Sequence, residues 1–379
     1  MKIQLSDHFT FGRLIRFAMP SIVMMVFTSI YSVVDGIFVS NFAGKIPFAA
    51  INLIMPYIMI LGTVGFMIGT GGTALISKTL GMGDKKKANE IFSFLTVVAV
   101  VAGIVLTVLA LIFLRPVAIL LGAEGEMLEN CILYGKIVLP AATAYILQFA
   151  FQSFCVTAEK ANLSLIMTVF SGVCNIILDA LFVAVFRWGL AGAAAATAIA
   201  QILGAIIPIV YFIRPNKSLL RLGKFRFDGK ALWRTIANGS SELMSNLSMS
   251  IVGMLYNLQL LAYAGEDGIA AYGVIMYVNL FFLSIFIGFV IGAAPLIGYN
   301  HGADNRAELK NLFKKSLVIV GVSAVAMAGA AVLLAKPLAS IFVSYDRNLW
   351  EMTVRGFMIY SCPSCCAALI FSAVLCLLP

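Results

Sequence analysis

A chain of 379 residues that is 61% hydrophobic and 11% charged cannot cover a water-facing surface, since soluble domains carry roughly 45–50% apolar and about 25% charged residues. With 32 Gly, 11 Pro and 7 Cys and no low-complexity run, collagen, disorder and a disulfide scaffold are excluded too. A mean hydropathy of +1.01 leaves an all-α polytopic membrane protein.

A helical span needs about 20 apolar residues. Ten such stretches follow one another, over 14–39, 48–77, 93–114, 129–157, 163–186, 190–213, 235–262, 269–299, 314–335 and 352–378. The first is too long for a signal peptide and lacks a small-residue cleavage site. Of the 26 Lys and Arg, 19 fall on one set of alternate loops and 7 on the other. The positive-inside rule puts the richer set, and the N-terminus, in the cytoplasm. The net charge of +9, divided among short loops, reads as topology and contact with membrane lipids rather than with nucleic acid.

At an offset of 221 residues the chain matches itself without a gap. Arg13 falls on Arg234, Ala43-Gly44 on Ala264-Gly265, Gly71 on Gly292, Gly81 on Gly302, and Arg115-Pro116 on Lys336-Pro337. Apolar identities alone could be chance. Loop glycines, a basic-Pro pair and loop lengths all in one register are not expected by chance. Residues 1–213 are therefore expected to form an N-terminal lobe of six spans. Residues 214–234 form a basic cytoplasmic linker, and 235–379 an incomplete C-terminal lobe of four spans. An even number of spans per copy makes the lobes parallel repeats about an axis along the membrane normal. A full second copy is expected to reach about residue 434, with two further spans.

Three of the 17 acidic residues lie inside spans: Asp35 in the first, Asp179 in the fifth and Glu242 in the seventh. No Lys, Arg or His sits well inside a span to pair with them. A lone carboxylate in lipid is costly and normally faces the protein interior or a water cavity; a protonated, hydrogen-bonded helix contact is the bland reading. At about 1.5 Å per residue, Asp35 lies about 7 Å and Asp179 about 10 Å below the outer ends of their spans. Thr197 lies about 10–15 Å below the outer start of the sixth by the same measure. Asn175 is one turn from Asp179 on the same face. Two carboxylates, an amide oxygen and a hydroxyl at similar depth make an all-oxygen set that suits a hard cation or a proton. Two nearby carboxylates cannot easily both stay ionised and would titrate as a unit.

The stretch Asn175-Ile-Ile-Leu-Asp179, then Gly189 to Gly192 and Thr197 to Gln201, resembles the multidrug and toxic compound extrusion (MATE) family. So do Gly292-Ala-Ala-Pro295-Leu-Ile-Gly298 through Gly302 and their first-lobe echo, Gly71-Gly72 to Gly81 and Asp84. The likeness covers essentially the whole chain and is greatest to the prokaryotic MepA-like members. It implies a fold of twelve spans in two lobes, of which this chain lacks the last pair. It implies a monomer in a prokaryotic plasma membrane that is not an enzyme and needs no cofactor. It also implies export of amphipathic organic cations in exchange for H⁺ or Na⁺ by alternating access. The matching cation-site positions are Asp35, Asn175, Asp179 and Thr197. Pro20 matches a proposed bend in helix 1, and Glu242 an acidic position of helix 7 in some members.

Met24, Met25, Tyr31 and Met244 would give such a cavity an adaptable lining, although most Met and aromatic residues of such a chain face lipid or core. Gly69, Gly71 and Gly72 lie within an apolar span and read as helix-packing residues. No Walker motif is present, so ATP is not expected to drive transport. A lipid-linked sugar flippase can share the two-lobe plan, but its pyrophosphate pocket should contain several Arg or Lys, and here the buried charges are acids. A truncated membrane protein that transports nothing is the remaining alternative; drug efflux separates it from the exporter.

Overall fold

The computed structural model describes residues 4–42, 45–216, 218–343, 347 and 350–358. With no water in the hydrocarbon to take up backbone N–H and C=O groups, each apolar run closes its own hydrogen-bond ladder. The helices are α1 (Phe11–Phe42), α2 (Lys45–Gly81), α3 (Lys85–Leu120), α4 (Gly125–Val138), α5 (Ala142–Thr157), α6 (Ala161–Asp179), α7 (Gly189–Ile213), α8 (Gly229–Gly302), α9 (Arg306–Leu333) and α10 (Ala335–Val343). Among the described residues, 8 helical segments are long and apolar enough to cross a bilayer. The expected span at 235–262 is helical, but most of its side chains from residue 250 onward lie outside the described residues, as does the expected span at 352–378 beyond residue 358.

Two local differences from the expected spans have backbone causes. The stretch expected as one helix over 129–157 is α4 and α5 joined by a 3₁₀ turn, Leu139–Ala141, with Pro140 at its start. Proline donates no hydrogen bond and crowds the preceding turn, so the ladder shifts there. After Asp179, α6 widens into a π-helical turn, Ala180–Val185, and Phe186 N–H reaches back to Leu181 O at 2.8 Å.

Burial is inverted relative to a water-soluble helix. On α3, Ile104, Val108 and Ile112 are 53%, 51% and 64% exposed, a face that suits lipid. Its buried side holds Phe92, Leu95 and Ala99. Phe92 packs edge-on to Phe151, Phe154 and Phe212, with centroids at 6.1, 5.5 and 5.1 Å, and so ties α3 to α5 and α7. Because lipid tails are as apolar as leucine, such contacts gain from close packing rather than from escape from water.

Helix α8 doubles back. A straight helix from Thr235 to Tyr299 would be about 96 Å long, yet a Cβ on Gly71 of α2 would meet Thr235 and one on Gly81 would meet Tyr299. Gly71 and Gly81 are only about 15 Å apart. Both arms of α8 therefore lie along α2.

The internal repeat extends to individual hydrogen bonds. In the α2–α3 loop, Met82, Gly83 and Asp84 donate to the carbonyls of Lys78, Leu80 and Thr79. In the α8–α9 loop, Ala303, Asp304 and Asn305 donate to those of Tyr299, His301 and Asn300, each shifted by the same 221 positions. Gly83 and Asp304, repeat mates, both take positive φ, 85° and 51°. Asp84 then caps α3 by accepting from Lys87 N–H, and its repeat mate Asn305 caps α9 by accepting from Glu308 N–H. The copies also touch reciprocally. A Cβ on Gly81 would overlap the carbonyl of Tyr299, and one on Gly302 the carbonyl of Lys78. Since Lys78 and Tyr299 are themselves repeat mates, this is the contact pattern of a two-fold.

A segment before α1 straps the same end of the bundle. Leu5 N–H donates to Glu159 Oε1 at 2.7 Å. Phe9 N–H donates to Glu308 Oε1 at 2.9 Å, and His8 Nδ1 lies 2.6 Å from the other oxygen of that carboxylate. The Phe9 carbonyl accepts from Asn311 and Lys315 at 3.0 and 2.6 Å. Leu5 and Phe9 are buried beneath the strap. It links the α5–α6 loop to the start of α9.

Candidate functional site

Helix α6 supplies a deeply buried polar pair. Asp179 is 0% and Asn175 2% exposed, and their spacing of four residues sets both on one face. Two sets of contacts fix what lies opposite. Along α1, Ser164 Oγ donates to the Met24 sulfur at 2.9 Å, and the Tyr31 ring lies 3.1 Å from where a Gly172 Cβ would be. These contacts run parallel, so position 35 of α1 falls level with Asn175. Along α7, Ser171 Oγ donates to Ala200 O at 2.7 Å, and Gly192 packs on the backbone of Phe182. These contacts run antiparallel, which puts the half-buried Thr197 level with Asn175 as well. The side chain of Asp35 lies outside the described residues.

The π turn begins directly after Asp179. Such turns recur at functional sites because the wider ring releases a backbone group from its usual partner. Phe182, Phe186 and Trp188 stack over its end, with centroids 5.0 to 6.2 Å apart. Arg187 and Gly189, at φ of 56° and 55°, then reverse the chain into α7. No periodicity in the sequence marks this feature.

Glu242, half-buried on the first arm of α8, lines a small polar cavity between the repeats. Thr70 and Thr73 of α2, Ser153 of α5, and Asn238 and Ser241 of α8 share it. Its volume is about 20 Å³, room for one water and not for an organic cation. A larger cavity of about 560 Å³ lies at the loop end, where Lys86, Lys87 and Arg226 are mixed with Asp84, Glu90 and Asp228. It is far from the buried carboxylates and shows no charge preference.

The other expected residues are scattered. Met24 and Met25 are buried, 0% and 8% exposed, in contacts of α1 with α6 and α8. Tyr31 is half-buried beside Phe27, with centroids 6.1 Å apart. Met244 is 56% exposed. Neither of the two cavities above is lined by any of these four. Helix α1 stays continuous through Pro20. Next to it, a Cβ on Gly288 would lie 2.5 Å from Ile22 Cα, and one on Gly292 2.7 Å from Ala18 Cα. This part of α1, where Pro20 is the expected flexure, is thus held against the second arm of α8, and Ser29 and Ser284 hydrogen-bond farther along. Glu308 was not singled out in the sequence, because an acid in the first turn of a helix reads as an ordinary partner of the helix dipole.

The MatE family model matches residues 20–181 and 243–376. Multidrug export protein MepA of Staphylococcus saprophyticus subsp. saprophyticus is 29% identical over 319 residues, 84% of this chain and 70% of that protein. The protein of the same name from Staphylococcus haemolyticus is 30% identical over 313 residues, 82% of this chain and 69% of that one. A crystal structure of MATE in complex with MaD3S superposes with a TM-score of 0.89 at 20% identity, covering 96% of this chain and 81% of that one. The same TM-score and identity hold for the outward-facing conformation of a multidrug resistance MATE family transporter. At that identity the two structures speak for the fold.

Proposed function

This chain belongs to the MatE family, and on that footing we propose that it is a secondary-active exporter of amphipathic organic cations, driven by inward movement of H⁺ or Na⁺. The observation that supports this most directly is Asp179, fully buried within a helix of a membrane-spanning segment, with Asn175 one turn away and position 35 and Thr197 at the level of Asn175. A carboxylate is kept in such a place at a cost, and ion coupling gives that cost a use.

In the proposed cycle, residues 1–213 and 235–379 act as the two lobes, with 214–234 as a cytoplasmic linker. An ion entering the first lobe from outside relieves repulsion between Asp35 and Asp179 and favours one packing of α1 over another, with Pro20 as the flexure. It can shift that equilibrium only by its differential affinity for the two packings. The reciprocal Gly81 and Gly302 contacts and the strap through Glu308 lie at the end that carries the basic loops. With that end in the cytoplasm, they close the inner side of the cavity. Glu242 becomes reachable when the lobes part there, and then attracts positive charge. The flippase reading is less well supported, since the polar groups around Asp179 and Glu242 among the described residues include no Lys or Arg.

Efflux from cells expressing this full chain tests the proposal: an accumulated fluorescent organic cation should leave faster than from cells with an empty vector, and equal rates would refute it. Glu242→Gln should slow efflux of cations by about three- to tenfold, as expected for one partly screened charge, and leave neutral compounds unaffected. Equal loss for both would reduce Glu242 to a packing residue.

A further inference from the structure

Helix α6 carries a polar side chain at every turn of one face. Ser164, Thr168, Ser171, Asn175 and Asp179 follow at steps of three or four residues, which makes one continuous stripe. None is more than 6% exposed. The opposite face is apolar and turned outward, with Ile166 58%, Phe170 46% and Ile177 59% exposed. The stripe runs about 22 Å, from the first turn of α6 beside the α5–α6 loop to Asp179.

Neighbouring helices supply further polar atoms. Gln152 of α5 donates through its side-chain amide to Thr168 Oγ1 at 3.4 Å, and its backbone carbonyl accepts from Ser164 Oγ at 3.0 Å. Interhelical hydrogen bonds of this kind can serve packing alone. Packing leaves two groups unexplained. The Gln152 side-chain oxygen and the Asn175 side-chain nitrogen have no hydrogen-bond partner, and each residue is 2% exposed. One lies beside Thr168, the other within the stripe one turn from Asp179. A buried amide group without a partner destabilises the fold, and buried water between polar groups is the usual remedy.

We propose that the stripe is a file of hydroxyls and single bridging waters that carries protons between Asp179 and the α5–α6 loop end, and that Thr168 and Ser171 position those waters. This rests on Asp179 being the coupling carboxylate, and goes further by naming the ion and its route. Polar groups one turn apart are separated by about 5.4 Å along the axis, close to two O–H···O bonds of about 2.7–2.8 Å end to end. Between hydroxyls one water per turn completes a chain, and the two waters on either side of Asn175 pass the proton directly to each other, because the amide holds them by hydrogen bonds but relays no proton. When the Asp179 carboxyl O–H breaks, its proton bonds to the nearest water, and each water or hydroxyl oxygen in turn forms one O–H bond and gives up another. One proton leaves at the loop end, Asp179 is left ionised, and no redox partner is involved. A metal cation needs several oxygens around it at once, and one hydroxyl per turn does not provide them.

The test uses the full chain in liposomes loaded with a pH-sensitive dye, with ethidium as the transported cation. Thr168→Val and Ser171→Ala remove a hydroxyl at little change in volume. Each is expected to lower ethidium-coupled proton flux about tenfold, the loss of roughly one hydrogen bond at the barrier, with ethidium affinity unchanged. Thr168→Ser should restore the flux, which a purely structural role for the Thr168 methyl group would not do. Wild-type flux in both hydroxyl-deleted variants, with Asp179→Asn inactive, overturns the file and leaves Asp179 as the coupling residue. Proton flux that survives Asp179→Asn overturns the reading on which the file rests. Ethidium movement driven by a Na⁺ gradient with no proton movement overturns the choice of ion.

Discussion

Asp179→Asn is expected to lower ion-driven drug efflux by more than about tenfold, the scale of a coupling free energy between two sites, while drug binding and folding persist. The amide keeps the shape of the carboxylate and removes the charge that a proton or Na⁺ would neutralise. Since Asp179 is 0% exposed, the ionised form is out of reach of bulk solvent and depends on the groups beside it. With asparagine there, the packing of α1 against α6 no longer responds to the ion, so the inner and outer openings lose their link to the gradient. Asp35→Asn should have the same effect, since the registers along α1 and α7 bring position 35 and Thr197 level with Asn175. The measurement is drug efflux from cells or liposomes under imposed pH and Na⁺ gradients, with drug affinity measured separately. Wild-type rates for both variants under both gradients would rule out the first-lobe cation site.

Gly302→Val should abolish efflux by a different route. Any Cβ at Gly302 overlaps the carbonyl of Lys78, and any Cβ at Gly81 overlaps the carbonyl of Tyr299. Backbone on both sides leaves neither pair a flexible side chain that could yield, so the helices must move apart. Overpacking of this kind typically costs about 1–3 kcal/mol, and here it falls where the lobes close in the proposed cycle. The variant should accumulate in the membrane and bind drug, yet pump more than about tenfold more slowly, because a closed state raised by that amount becomes scarce. Gly81→Val should match it, since the two contacts are copies. A large effect for one and none for the other would refute the reciprocal contact.

The sequence by itself determined the membrane class, most of the span positions and the offset of 221 residues, and of the three carboxylates it sets inside spans, Asp179 is fully buried. Each rests on local composition or on a repeat distance, and those survive whatever the helices pack against. The loop caps are local in the same way, since Asp84 and Asn305 satisfy N–H groups of their own helix starts. What the sequence left open is which face of each helix turns inward. Lipid is as apolar as the protein interior, so Met24 and Met244 look alike in one dimension, and only packing buried the first and exposed the second. The same holds for the strap. Glu308 is an unremarked acid in the first turn of α9 until tertiary structure sets Phe9 and His8 against it, some 300 residues away in sequence. The π turn after Asp179 was likewise decided in three dimensions, whereas the similar depth of position 35, Asn175 and Thr197 was already legible along the spans, and tertiary structure adds only which helices meet there, through contacts such as Tyr31 with Gly172.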